Sequence, residues 1–297
     1  MELSQDWNMG IMTALITADP DFRITSVLVY SKQLLWPPKK ANLSELPGVE
    51  HSYLLEYHIE RLQASALALE WMTAVEYLSH PDALITLTKD IETQISRAYP
   101  DGSDSAFYKV RLAFGAEEKL EILSMPFPEF SPSTVLLFPI PLPPPGSPET
   151  IHIKASREVY IDRTPTQPFL FTTNKSTYRT HWSLASERLN IPCNLTFERA
   201  SFLATNPIGE IMDGGYDTVY FWRFDERSGE WGWVVPANEC GGSLGVTRRW
   251  AVRNAGVGEK IVRVESLREG EEVWLSSGCW GFRRGFITLR DRFEESP

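Results

Sequence analysis

A run of prolines near the middle of the chain, PLPPPGSP over residues 141–148, most restricts what this sequence can fold into. Proline fixes φ and lacks a backbone donor, so such a run can neither continue a helix nor sit inside a sheet. It reads as an extended, semi-rigid spacer. We therefore expect residues 1–148 to form a small N-terminal α/β domain, 149–167 a linker and 168–297 a larger C-terminal strand-rich domain. A length of 297 residues suits two domains.

Ahead of the prolines, residues 24–30 are β-branched and alternating, the pattern of a strand. Over 52–79 the apolar residues Leu55, Ile59, Leu62, Ala66 and Leu69 fall at helical spacing, and a second helix is expected over 82–99. Residues 107–114 and 119–124 read as strands joined through Gly115, and 134–140 as a further strand. Behind the prolines come short strands at 196–203, 217–223, 230–235, 260–264 and 272–275, with short helices after Ser176, Val246 and Ser266. The class is α/β or α+β, in two lobes.

Charge excludes one group of functions. With 29 Lys+Arg against 39 Asp+Glu the net charge is -10, and no basic run exceeds the pairs Lys39-Lys40, Arg248-Arg249 and Arg283-Arg284. A nucleic-acid partner is not expected. No stretch reaches the roughly 20 apolar residues of a membrane span, and acids precede any apolar run at the N-terminus. The expectation is a soluble cytoplasmic protein, with the sequons at Asn42, Asn174 and Asn194 read as chance. Cys193, Cys240 and Cys279 stand far apart without a CxxC pair, so neither a disulfide framework nor a structural zinc site is expected. There is no G-x-S-x-G, and no His/Asp/Glu spacing makes a metal ligand set.

Four segments carry residue types suited to chemistry. His58 and Arg61 lie three apart on the first predicted helix and share a face, where a guanidinium suits an anion such as phosphate. Lys175 follows an apolar, β-branched stretch, 168–173, read as a buried strand; a partly desolvated amine there is a nucleophile for Schiff-base chemistry. Asp213 stands beside Gly214 and Gly215, which let the backbone approach a flat ligand; as a plain alternative, Asp-Gly-Gly is a turn. Finally, Gly241, Gly242 and Gly245 lead into a helix start at Val246-Thr247, a cradle for phosphate. Together these are the parts of a pyridoxal phosphate (PLP) site.

Their order resembles the fold-type IV PLP enzymes, which include branched-chain and D-amino-acid aminotransferases and aminodeoxychorismate lyases. The family's H-x-x-R-L…S-A helix is matched by His58, Arg61, Leu62, Ser65 and Ala66, its Schiff-base lysine by Lys175, and its G-x-x-x-E-G turn by Gly209 to Gly214. Its G-[IV]-T-R loop is matched by Gly245, Val246, Thr247 and Arg248, and residues 266–277 resemble the segment leading to its last active-site loop. The resemblance spans about 52–285. It implies PLP held by Arg61, Lys175, Asp213, Gly214, Val246, Thr247 and Ser277, with PLP between the lobes of a homodimer subunit.

Arg179, four residues after Lys175, is similar to the K-x-x-x-R of the lyases, and 209–222 resembles their fungal type. The resemblance thus implies conversion of 4-amino-4-deoxychorismate to 4-aminobenzoate and pyruvate, a step toward folate, with Lys175 as base. Arg179 is a candidate for binding substrate, and so is Arg111 on the strand predicted at 107–114, where Lys109 shares its face and alternation does not choose between the two. The alternatives are an aminotransferase of the same fold acting on an amino acid or amine, and a non-enzymatic relative. Three positions depart from the pattern: Asp213 stands where the family has Glu, and Tyr178 and Ser277 where the lyases have Asn.

Overall fold

The computed structural model describes residues 5–33, 48–103, 105–116, 120–150, 153, 157–192 and 199–292. Lys39-Lys40, Cys193, Asn42, Asn194, the expected loop at 36–40 and the first residues of the strands expected at 119–124 and 196–203 lie outside them. The chain packs as two units, Met1–Phe130 with Phe169–Tyr178, and Ser131–Pro168 with Arg179–Pro297.

In the first unit a helix, α1 (Gln5–Thr17), precedes β1 (Ile24–Tyr30), which pairs antiparallel with β2 (Tyr108–Phe114). β3 (Glu121–Pro126) completes a three-stranded sheet in the order β1-β2-β3. The alternation of β1 sends Ile24, Leu28 and Tyr30 into a core shared with α2 (Leu55–Ala68), α3 (Met72–Ser79) and α4 (Ala83–Ala98). On α4 the buried Leu87, Ile91 and Ile95 recur every four residues, which is why this segment forms a helix with one buried face. The single helix expected over 52–79 is broken in two. Glu70 takes a left-handed φ of 58°, the Trp71 N–H closes onto the Ala66 carbonyl at 2.9 Å, and Trp71 packs edge-on to Phe22 at 5.7 Å. Apolar spacing runs smoothly across that break, so periodicity missed it.

The second unit holds an eight-stranded mixed sheet in the order β6-β5-β4-β11-β10-β7-β8-β9. Its strands are β4 (Arg157–Ile161), β5 (Ala200–Thr205), β6 (Ile211–Gly214), β7 (Thr218–Asp225), β8 (Glu230–Pro236), β9 (Gly258–Lys260), β10 (Glu272–Ser277) and β11 (Gly281–Ile287). Alternation along β4 sends Val159 and Ile161 to one core cluster and Tyr160 to another, so both faces of the sheet are covered. Two helices, α6 (Thr180–Arg188) and α7 (Val246–Asn254), belong to this unit.

Several expectations meet a different structure. The proline run packs onto the large sheet of the second unit, because prolines keep their carbonyls as acceptors. The Pro143 carbonyl receives the indole N–H of both Trp233 (2.9 Å) and Trp274 (3.1 Å). Residues 134–140 make only a bridge, Leu136 to Phe282, rather than a strand. β4 lies inside the expected linker 149–167, central in the sheet with parallel neighbours on both sides. Only Lys260 of the strand expected at 260–264 is in β9, and the one-turn helix Val264–Ser266 precedes rather than follows Ser266. Among the described residues, no helix is long and apolar enough to cross a membrane.

Candidate functional site

Arg61, His58 and Lys175 belong to the first unit. β1 places Ser26 on its core face, opposite Leu112 of β2, and Ser26 is fully buried. Its hydroxyl accepts from Arg61 Nη2 and lies 2.5 Å from His58 Nδ1. His58 has no exposed surface; burial above all, then the positive charges of Arg61 and Lys175, hold its pKa well below the ordinary histidine value, against a smaller pull from the Tyr53 carbonyl. The imidazole is therefore neutral at physiological pH. Its Nε2 has no hydrogen-bond partner among the described residues.

Lys175 does not end a strand. Residues 168–173 contain the one-turn helix α5 (Leu170–Thr173), because Phe169 and Phe171 turn into the core of the first unit. The chain beyond is stitched to β1: Thr25 N–H donates to the Lys175 carbonyl at 2.9 Å, Ile24 bridges Ser176, and Thr177 N–H donates to the Arg23 carbonyl at 2.8 Å. Lys175 itself is half-buried. Tyr178 packs against Phe169 and Phe171, with ring centroids 6.2 and 5.7 Å away, so this departure from the lyase pattern is a core contact. Arg111 lies elsewhere. Facing Val27 on the other side of the same sheet, it is half-exposed and 3.8 Å from Glu121. Lys109, on the same face, lies over the Phe127 ring at 4.7 Å.

Asp213, Gly214, Val246, Thr247, Ser277 and Arg179 belong to the second unit. Asp213 sits in β6, the edge strand, paired with Ala204 rather than in an open turn. It is buried, and burial lifts its pKa well above the ordinary carboxyl value; Arg248 and the Gly214 and Ser243 N–H groups oppose this, while Asp217 adds to it. The Gly214 N–H to Oδ1 distance is 3.0 Å. A Cβ at Gly242 would lie 2.0 Å from the Met212 carbonyl oxygen and 3.0 Å from Asp213 Cβ, so glycine there lets the loop before α7 run directly over the acid. Glu210, the other carboxylate of this segment, is engaged by Asn206 at 2.9 Å and Arg263 at 3.5 Å.

Val246 and Thr247 form the buried first turn of α7, whose N-cap Gly245 supplies no side-chain acceptor. The leading N–H groups of such a helix lack intrahelical partners and attract an anion. Thr247 also joins a chain of hydroxyls in which Ser276 Oγ donates to Thr247 Oγ1 at 2.6 Å and Tyr220 lies 2.8 Å from Ser276. With the Ser276 proton committed to Thr247, Tyr220 is the donor to Ser276, and Thr247 also faces the Tyr220 hydroxyl. Arg248 of the same motif is spent on structure, donating to the Pro236 carbonyl at 2.9 Å and to Glu259 at 2.6 Å. Ser277, at the end of β10, is half-buried, 3.7 Å from Cys279 Sγ. Arg179 Nη2 donates to the Gly215 carbonyl at 3.0 Å, and its guanidinium lies 4.9 Å over the Tyr216 ring.

The model of the family described as Amino-transferase class IV matches residues 49–285. The chain belongs to that family. Class IV aminotransferases are PLP-dependent enzymes. Among solved structures, this class IV aminotransferase relative is similar to a putative amino-acid aminotransferase from Mesorhizobium loti (17% identity, TM-score 0.59, 90% of this chain and 100% of that one). It is similar to a putative 4-amino-4-deoxychorismate lyase (19%, TM-score 0.56, 96% and 88%). A hypothetical aminotransferase from Mycobacterium tuberculosis in its PLP-bound form is a third (12%, TM-score 0.56, 95% and 86%). These likenesses show the fold, fold-type IV. No curated protein matches the sequence.

The residues fit the family's cofactor. By chemical type alone, the buried guanidinium and half-buried amine within the first unit suit that cofactor, as do, within the second, the helix start with its hydroxyl and the buried acid under a glycine loop. The motif spacing missed Ser26, Tyr220 and Ser276, and read Gly242 only as part of a phosphate cradle rather than as the residue that lets the loop pass over Asp213. A signal for the first existed: Ser26 is a small polar residue between Ile24 and Leu28 on the core-facing register of β1.

The burial of Asp213 leads to a test. A carboxyl whose folded pKa is raised binds more protons when folded, so its contribution to stability falls as pH rises above the unfolded value of 3.8. Asp213→Asn should therefore raise the melting temperature of cofactor-free protein near neutral pH, and the gain should vanish below that value. Thermal melts of both proteins across pH check this; a lower melting point for the variant at neutral pH would mean that Arg248 and the N–H groups outweigh burial.

Proposed function

We propose that this family member is a PLP-dependent lyase converting 4-amino-4-deoxychorismate to 4-aminobenzoate and pyruvate. The observation that carries the reading is Arg179. It stands four residues after Lys175, as in the lyases the sequence resembles, and bonds the carbonyl of Gly215, two residues beyond Asp213. The likeness to a putative 4-amino-4-deoxychorismate lyase supports the same reading.

PLP, when bound, supplies a sink for the electron pair released at the substrate carbon. By the resemblance, the phosphate would fall to Arg61 in the first unit and to the Val246 N–H and the Thr247 hydroxyl in the second. Asp213 would hold the protonated ring nitrogen, with Gly214 beside it, and Ser277 would add a hydroxyl donor. Lys175 would hold the cofactor and, once released, would serve as the base at the amine-bearing carbon through its Nζ. Arg111, whose contact to Glu121 is long and half-exposed, can turn to one substrate carboxylate. The remaining donors of Arg179 can meet the other. As the resemblance implies, the working form is a homodimer.

A lyase completes its cycle alone, whereas an aminotransferase needs a keto acid. Purified protein with PLP should release pyruvate and 4-aminobenzoate in equal amounts without any keto acid, and borohydride should fix the cofactor on Lys175 in a peptide map. Turnover only when a keto acid is present would replace this reading with the aminotransferase; no fixation and no turnover would favour the non-enzymatic relative.

A further inference from the structure

Arg61 reaches its place with help from residues outside the motif. A guanidinium can only donate, so its bond to Ser26 uses a lone pair of the serine oxygen and leaves the serine's own proton to be placed. Among the described hydrogen bonds that proton has one acceptor, His58 Nδ1 at 2.5 Å. Ser26 and His58 are both fully buried and Arg61 nearly so, with Ser26 fixed by the β1–β2 ladder and His58 one helical turn from Arg61. A long arginine side chain otherwise samples many rotamers, and holding it ready avoids an ordering cost when an anion arrives.

We propose that Ser26 and His58 are positioning residues for Arg61: the serine hydroxyl accepts from Arg61 Nη2 and donates to His58 Nδ1, fixing the guanidinium for an anionic phosphate. The neutral state of His58 keeps Nδ1 free to accept. Its proton then sits on Nε2. The role toward phosphate rests on the PLP reading above, whereas the proton arrangement does not depend on it.

The test compares PLP with pyridoxal, which lacks the phosphate, by titrating absorbance and tryptophan fluorescence in the intact protein. Ser26→Ala should weaken PLP by about tenfold, the scale of one hydrogen bond to a charged group. Pyridoxal should change by less than about twofold, and Ser26→Thr should restore PLP binding. Equal weakening of both probes, or of neither, overturns the positioning role. If wild-type protein does not favour PLP over pyridoxal, the cofactor reading fails instead. Nitrogen-15 NMR of cofactor-free protein then decides the arrangement: a neutral His58 protonated on Nε2, whose Nδ1 resonance moves in Ser26→Ala, supports it. A proton on Nδ1, or an imidazolium at neutral pH, overturns it.

Discussion

Replacing Lys175 with alanine is expected to lower turnover by about a thousandfold or more, the scale on which a nucleophile that also serves as base contributes. The fold should survive. The segment bearing Lys175 is held by backbone bonds, from Thr25 N–H to the Lys175 carbonyl and from Thr177 N–H to the Arg23 carbonyl, and neither needs the side chain. Circular dichroism and melting should therefore match the wild type while borohydride fixes no cofactor. Added primary amine should restore part of the proton transfer. A variant that keeps turnover within tenfold would remove Lys175 from the chemistry; one that unfolds would show that the half-buried stem is needed for packing.

Asp217→Ala is expected to destabilise the protein by about 3–5 kcal/mol, as when one partner of a buried ion pair is removed. Asp217 lies just before β7 with its carboxylate fully buried between two arginines, Arg157 Nη1 at 3.2 Å and Arg283 Nη2 at 3.0 Å. Arg157 belongs to β4 and Arg283 to β11, whereas β7 is separated from β11 by β10. The carboxylate thus ties the start of β7 to two strands with which β7 shares no ladder. Arg283 also lies 4.8 Å over the Trp280 ring, and burial draws its pKa below the ordinary arginine value, with Asp217 opposing. Removing Asp217 leaves two buried cations without that countercharge. Urea unfolding with an unchanged slope would measure the loss; a change below about 1 kcal/mol would mean that water reaches the cluster. Asp217→Asn, which keeps an acceptor but no charge, should fall between.

The sequence was most legible where a pattern is local. Residues 24–30 form β1 as read, and the helix expected over 82–99 forms as α4 within a residue at each end. Gly245 to Thr247 do open a helix. Reading failed where neighbours in space override neighbours in sequence. Phe169 and Phe171 made 168–173 look like a strand, yet these rings reach the first core only if the backbone turns. β4 was hidden because Arg157 and Glu158 open it with charge, and nothing local shows that Asp217, 60 positions away, neutralises the first. β6 was hidden for a related reason, since Asp-Gly at its end signals a turn whether or not a partner strand is present.

By itself the sequence set out the candidate side chains and their order, Arg61, Lys175, Asp213 and the Val246-Thr247 helix start, and the element type around Arg61 and Val246-Thr247 but not around Lys175 or Asp213. The tertiary structure decided how each is held. It put Ser26 within hydrogen-bond reach of both Arg61 and His58, more than 30 positions away, and ran Gly242 over Asp213. It also turned the proline run from a spacer into an acceptor for two tryptophans. Periodicity records only which face of an element is apolar. What a buried polar group bonds to is set when separate elements pack, and that choice determines which charges are neutralised, which protons are free and which side chains are held ready for an anion.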